Sequence, residues 1–455
     1  MPKIIFAGLA AVLFAMLFAT PLQAQTQGAP KSAMHKQDIV QLKQEAQEAY
    51  AAENWIAFYV ANMKLNQLRP FEAEYMANIV RACALLDRKS TAYHYMLKMQ
   101  QQGMSYDFNL TDDTLGIRDT EAYEYINNLL IEAGKSAGVS NPVFTLPGQP
   151  ADFRSIAWDE SRERFLVGTM SNGSVIAVAA DGTSEVLLEA NDENGLWSIN
   201  GIAVDAAHNR LWVSSAATPL FEAFSSDDKN PGALFEFNLE TLEPTGRYDF
   251  PVDGLMHLPG SVAVTDDGFV YVIDRATPII YRKAPGSEGL EAFFASPDLL
   301  ALRDIAVVPD NSRIFVADAG KGILTIDPIA QQAALITGPE TLNLGGIDSI
   351  EYNNGQLFVV QGGFSPQRIV RLELDDSAVL VENVSPMAIA LEEFNQPGNA
   401  VIRGNDLYYF ANSGAQDAES VVVLSTPLDA GVQVAPPDMS QFEEAIRAKQ
   451  QQTKD

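Results

Sequence analysis

From residue 155 onward the chain repeats one pattern. A short apolar run is followed by a turn rich in Asp, Asn or Gly, then by a second run of β-branched and aromatic residues. The copies are SIAWDESRERFLVGT (155–169), GIAVDAAHNRLWVSS (201–215), SVAVTDDGFVYVID (261–274), DIAVVPDNSRIFVAD (304–318), SIEYNNGQLFVVQ (349–361) and NAVIRGNDLYYFAN (399–412). Each predicts two strands joined by a tight turn. Their starts lie 43 to 60 residues apart, with room for two more strands after a copy, as in GILTIDP and QQAALITG after Asp318. Four strands at that period predict a propeller blade. One blade cannot bury both faces, whereas six in a closed ring can, and closure removes open sheet edges. After the last copy only SVVVLST (420–426) reads as a strand, so PVFTLP (142–147) is expected to supply the missing outer strand and close the ring. The widest gap predicts a long loop over 218–232, where Phe221 and Phe224 could cap a pocket or pack on a neighbouring domain.

Residues 38–130 instead show helical periodicity. AENWIAFYVANMKL (52–65) aligns with LDRKSTAYHYMLKM (86–99) at an offset of 34 residues, placing Tyr59 on Tyr93, Met63 on Leu97, Lys64 on Lys98 and Leu65 on Met99. Pro70 can end the first unit, and a further helix is expected over Thr120–Ala133. The offset resembles that of tetratricopeptide repeats, which implies helical hairpins that bind a peptide or protein partner; packing on the second domain is the alternative. GKSAGVSNP (134–142) reads as a linker. The expected fold is therefore mainly β: a six-bladed β-propeller at 142–427, an N-terminal all-α helical-repeat domain at 36–135, and a polar tail or helix at 428–455.

Composition narrows the setting. The first 24 residues carry a Lys, an apolar run from Ile4 to Phe18, then Pro21 and Ala24, the layout of a secretory signal. The expected location is periplasmic or secreted, with no membrane span. The net charge of −29 argues against nucleic acid and anionic membranes. Cys83 is the single cysteine, so no intrachain disulfide can form, and its apolar helical setting reads as a core thiol.

Candidate chemistry gathers at one end of the repeats. Each second strand ends on a polar residue: Thr169, Ser215, Asp274, Asp318, Gln361 or Asn412. Each copy begins beside another set: Arg154–Ser155, Asn200–Gly201, Gly260–Ser261, Arg303–Asp304, Asp348–Ser349 and Gly398–Asn399. Antiparallel pairing brings both sets to one face, where six blades aim them at a central channel. Local turn chemistry explains many Asp, Asn, Ser and Gly residues but not Arg154 and Arg303. Arginines beside carboxylates suit a small anionic or carbonyl-bearing ligand or a peptide, held by Arg154, Asn200, Arg303, Asp304, Asp348, Gln361, Asn399 and Asn412. The same groups could form closed salt bridges that plug the channel. Of the histidines only His257 sits beside a repeat start, as a candidate acid/base. No nucleophile elbow, zincin motif or Walker loop is present, and Asp227, Asp228 and Asn230 lack the closing Glu of a calcium loop.

The segments LPGSVAVTDDGFVYVIDRA (258–276), DIAVVPDNSRIFVADAGKGILTID (304–327) and IDSIEYNNGQLFVVQGGFSPQRIVRLELD (347–375) resemble the gluconolactonase-like superfamily of six-bladed propellers, which includes regucalcin (senescence marker protein); NHL-type propellers are also similar. The resemblance implies lactone or ester hydrolysis assisted by a divalent cation such as calcium or zinc. Its metal-ligand positions correspond here to Arg154, Asn200, Pro259–Gly260 and Arg303–Asp304, of which Asn200 alone is retained. A different metal set, Asn200, Asp274, Asp318 and Asp348, is an alternative, as is catalysis by His257 or Asp348. Binding of an anionic ligand is the leading expectation and metal-dependent hydrolysis the second.

Overall fold

The computed structural model describes residues 31–225 and 232–432. The signal-like segment, the Asp227–Asn230 cluster and all but the first residues of the tail lie outside the described residues. The repeats form six antiparallel sheets arranged as a closed six-bladed propeller. Blade 1 runs outward from Phe153–Asp159 through Arg164–Thr169 and Val175–Ala179 to Ser184–Leu188. The innermost strands of blades 2 to 6 are Ser198–Asp205, Pro259–Val264, Leu302–Val307, Ser349–Asn353 and Ala400–Arg403. Each innermost strand packs on the next, and blade 6 returns to blade 1. The second strands of blades 1, 3 and 4 are almost wholly buried because both faces meet neighbouring blades.

Ring closure follows the expected route. Asn141–Pro147 pairs antiparallel with Ser420–Pro427 as the outer strand of blade 6, with Phe144 opposite Val423 and Leu146 opposite Val421. Phe144 and Leu146 are buried with Phe165, Val178, Val421 and Val423, so the seam is apolar as well as hydrogen-bonded. The segment read as a linker is structured too. Ala137–Gly138 pairs with Ile389 and Ala388 as a fifth strand on blade 5. Gly138 has φ +92, and a Cβ there would lie 2.3 Å from the Met387 carbonyl oxygen, so this edge accepts a glycine at that point.

Among the described residues, five α-helices precede the ring: α1 (Lys31–Ala51), α2 (Trp55–Leu68), α3 (Ala73–Leu85), α4 (Lys89–Gln101) and α5 (Glu121–Glu132). They pair as hairpins, and α2 and α4 begin 34 residues apart. Asn54 caps α2 by accepting from the Ala57 amide, and Thr120 caps α5 by accepting from Tyr123. Cys83 is fully buried among Met76, Val80, Met96 and Ile126, and burial pushes its thiol up to about 11. Among the described residues, no helix is long and apolar enough to cross a membrane.

The helical region sits on blades 4 and 5. Phe71, in the α2–α3 turn, joins the core of those blades, and Phe364 of blade 5 joins the core of the helices. Arg368 is buried at this contact, with Nη1 donating to the Gln102 carbonyl at 3.0 Å and its guanidinium over the Phe364 ring. Asn343 donates to the Gln102 side chain at 3.0 Å, and the Ser105 amide donates to the Ser365 carbonyl at 2.9 Å. Close approach depends on Gly345, where a Cβ would lie 2.6 Å from the Phe71 carbonyl oxygen.

Candidate functional site

The two polar sets at the channel end have different fates. Residues ending the second strands turn into the protein and secure backbone. Asp274 accepts from the amides of Leu258, Ala276 and Thr277, and Asp318 from those of Leu300, Ala301, Gly320 and Lys321. Gln361 donates to the Asn343 and Gly345 carbonyls and accepts from Arg368. Asn412 bonds the Ser420 carbonyl and the Val422 amide, and the Ser215 hydroxyl accepts from the Trp197 amide. Thr169 closes its own turn through Asn172 and Ser174. These are caps of turns and incoming loops, with their polar atoms used locally.

Residues at the repeat starts do converge. One cavity of about 80 Å³ at the channel mouth is lined by Arg154, Asn200, Ser261, Arg275, Arg303, Asp348 and Asn399, together with Gln396, Gly398 and Ser413. Every blade contributes to it. The backbone explains why. The pairing of the two inner strands slips between Phe153 and Ser155, between Ile199 and Gly201, between Pro259 and Val262, and between Leu302 and Asp304. Arg154, Asn200, the Gly260–Ser261 pair and Arg303 therefore occupy β-bulges, which re-aim a side chain out of the ladder. Asp348 and Asn399 stand immediately before the inner strands of blades 5 and 6.

Arg275 is the residue the sequence did not single out. It follows Asp274 directly, one position beyond the strand end that the repeat pattern marks. Its aliphatic stem lies over Gly260, where a Cβ would be 2.8 Å from Arg275 Cγ and Cδ. Burial, and then the charges of Arg303 and Arg154, push the Arg275 guanidinium below its ordinary value. Burial pushes the Asp348 carboxyl up, and Arg303, Arg154 and Arg275 pull it back. Gly362 leaves room for that carboxylate, since a Cβ there would lie 2.7 Å from Asp348 Oδ2. Among the described residues, neither the three arginine side chains nor Asp348 forms a salt bridge. Three guanidiniums and one carboxylate leave the cavity with a formal charge of +2, in a protein whose net charge is −29.

The remaining expected residues lie elsewhere. Asp304 points away from the mouth, opposite in sense to Arg303, and bridges to blade 5 by accepting from the Ser349 hydroxyl at 2.7 Å and the Ile350 amide at 2.8 Å. Burial pushes its carboxyl up, as it does that of Glu351 on the innermost strand of blade 5. His257 is fully buried, with Nδ1 2.6 Å from Asp274 and Nε2 3.1 Å from Asp253, and lines no part of the channel cavity. Both ring nitrogens are committed, so the imidazole acts as a clasp and is not placed as an acid or base over a ligand. Phe221 packs on Trp197, and Glu222 bonds back to Ser171 of blade 1, so the described part of the long loop covers blade 1.

The donor set does not suit a divalent cation. Of the alternative metal set only Asn200 and Asp348 reach the cavity, while Asp274 and Asp318 are engaged by backbone amides. Three guanidiniums around a single carboxylate repel a dication and attract an anion.

A second cavity, of about 370 Å³, lies beside the first and shares Arg303 and Asp348 with it. Its far wall is the α2–α3 turn, with Arg69, Phe71, Glu72 and Ala73. Nothing in the repeat pattern marks these helical residues as neighbours of the channel.

Three solved structures show what the chain is similar to. A gluconolactonase from Xanthomonas campestris is 16% identical with a TM-score of 0.43, covering 64% of this chain and 99% of that one. A luciferin-regenerating enzyme is 12% identical with a TM-score of 0.47, covering 66% and 100%. The PQQ-bound form of an aldose sugar dehydrogenase from Streptomyces coelicolor is 14% identical with a TM-score of 0.45, covering 64% and 98%. No family model matches the chain, and no curated protein does.

Proposed function

We propose that this chain is an exported propeller protein that binds a small anion at the channel mouth. The observation that carries the reading is the set of three arginines, Arg154, Arg275 and Arg303, lining one cavity with no salt-bridge partner among the described residues. Guanidiniums are planar, permanently charged and suited to bidentate contact with carboxylate or phosphate. Asn200, Ser261 and Asn399 add neutral groups for hydroxyl or carbonyl oxygens on the same ligand. The reading is tested by calorimetric titration with acetate, gluconate and inorganic phosphate. At least one should bind to the wild type, and Arg303→Ala should weaken that binding about 10- to 150-fold, the loss of one charge-assisted contact worth about 1.5–3 kcal/mol. Binding that is absent, or indifferent to Arg303→Ala and Arg154→Ala, would refute it.

One observation favours a second reading, hydrolysis of a lactone or ester. Asp348 is a carboxylate in the cavity whose pKa burial raises, as suits a general base, with guanidiniums beside it to stabilise an oxyanion. Turnover on a lactone and ester panel that is abolished by Asp348→Asn would establish this chemistry, and an unchanged rate would remove Asp348 from it.

A further inference from the structure

The two cavities meet at Arg303 and Asp348 but differ in character. The channel cavity is small and lined almost wholly by polar and charged side chains. The larger one has polar and apolar surface in about equal parts, the apolar part supplied by Phe71, Ala73, Ala319, Leu344, Ile347 and Phe364. At about 370 Å³ it falls in the range of cavities that hold organic ligands, about 300–1,000 Å³, whereas about 80 Å³ suits a head group. The charged residues of the larger cavity, Arg69 and Glu72 with the shared Arg303 and Asp348, balance in formal charge, so the net positive charge lies on the channel side.

Building on the anion-binding reading, we infer that the ligand is an elongated amphipathic carboxylate, with its head on Arg154, Arg275 and Arg303 and its apolar body in the cavity between blades 4 and 5 and the α2–α3 turn. The helical region is then part of the binding site. Phe71 and Ala73 form one wall against Leu344, Ile347 and Phe364 of the propeller. The seat of Phe71 in the blade 4–5 core and the Arg368–Gln102 contact hold that wall in place. The propeller selects for charge, and the joint between domains selects for length and apolarity.

The test is a calorimetric series of acetate, butyrate, hexanoate and octanoate on the full chain. In the wild type the affinity should rise about fourfold per methylene until the cavity is filled, the value for a fully buried CH₂. Phe71→Ala removes part of the wall, and Ala319→Phe fills the cavity from the propeller side; each should flatten the dependence on length. The second variant keeps the test informative if the first disturbs domain packing. A wild-type series flat in length, with acetate binding still lost in Arg275→Ala, would overturn this inference and leave the anion site standing. A rising series unchanged in both variants would place the body elsewhere and also overturn it. Failure of every carboxylate of the series to bind would overturn this inference; the anion-binding reading falls with it only if gluconate and inorganic phosphate also fail to bind.

Discussion

Leu146→Ala strikes the seam that closes the ring. Leu146 is 2% exposed and packs with Phe165, Val178, Val421 and Val423 across the last strand pairing, opposite Val421. Truncating a buried leucine costs about 2–5 kcal/mol, and the upper half is expected because both neighbouring blades are fixed by the ring and cannot collapse into the space. For a domain of this size each kcal/mol moves Tm by about 2–4 °C, so a fall of at least about 7 °C should appear in a thermal melt followed by circular dichroism. The exposed Val186→Ala, on the outer strand of blade 1, serves as control and should stay within about 0.5 kcal/mol. The seam also joins blade 1, which carries Arg154, to blade 6, which carries Asn399, so Leu146→Ala should weaken anion binding as well as lower Tm. Deleting 139–148 should abolish the cooperative transition. A melt unchanged by Leu146→Ala, or by the deletion, would refute closure by this strand.

Two further outcomes follow from the same contacts. Burial lowers the pKa of His257, but Asp274 and Asp253 outweigh it and leave a net rise above the ordinary 6.5. The charged clasp is therefore fully stabilising below about 6.5 and is lost as pH rises through the folded-state value. His257→Gln should melt lower than wild type at pH 6, with the difference narrowing toward pH 9; a difference independent of pH would show that the imidazolium is not the stabilising form. Gly345→Val places side-chain atoms against the Phe71 backbone and should loosen the helical region, read as faster proteolysis between α5 and residue 141 with the propeller fragment retained; unchanged cleavage would contradict that seat.

The fold was legible because each level of the chain repeats the same message. Apolar runs, Asp/Asn/Gly turns and a near-constant period all specify blades, and a last copy short of one strand requires a donor from elsewhere. The site was half legible. Residues at strand starts and strand ends reach the same face, but sequence does not say which way each turns. Asp274, Asp318, Gln361 and Asn412 turn inward because incoming loops and turns present backbone groups that need partners. Arg154, Asn200 and Arg303 turn outward because bulges displace them, and a bulge has no composition signal when it contains no glycine. Arg275 was hidden by its position one residue past the marked strand end. Arg69 and Phe71 come to the mouth through tertiary packing between segments more than two hundred residues apart, which no local pattern encodes. The 134–142 segment has the composition of a linker yet pairs with blades 5 and 6, since exposed sheet edges accept any backbone of suitable geometry.

The most direct measurement is anomalous diffraction from crystals of the protein containing bromide. Bromide density among Arg154, Arg275 and Arg303 would place an anion where the account requires it. Those guanidiniums found instead in closed salt bridges with Asp348, with no bromide between them, would contradict the account and make the cluster a plug of the channel.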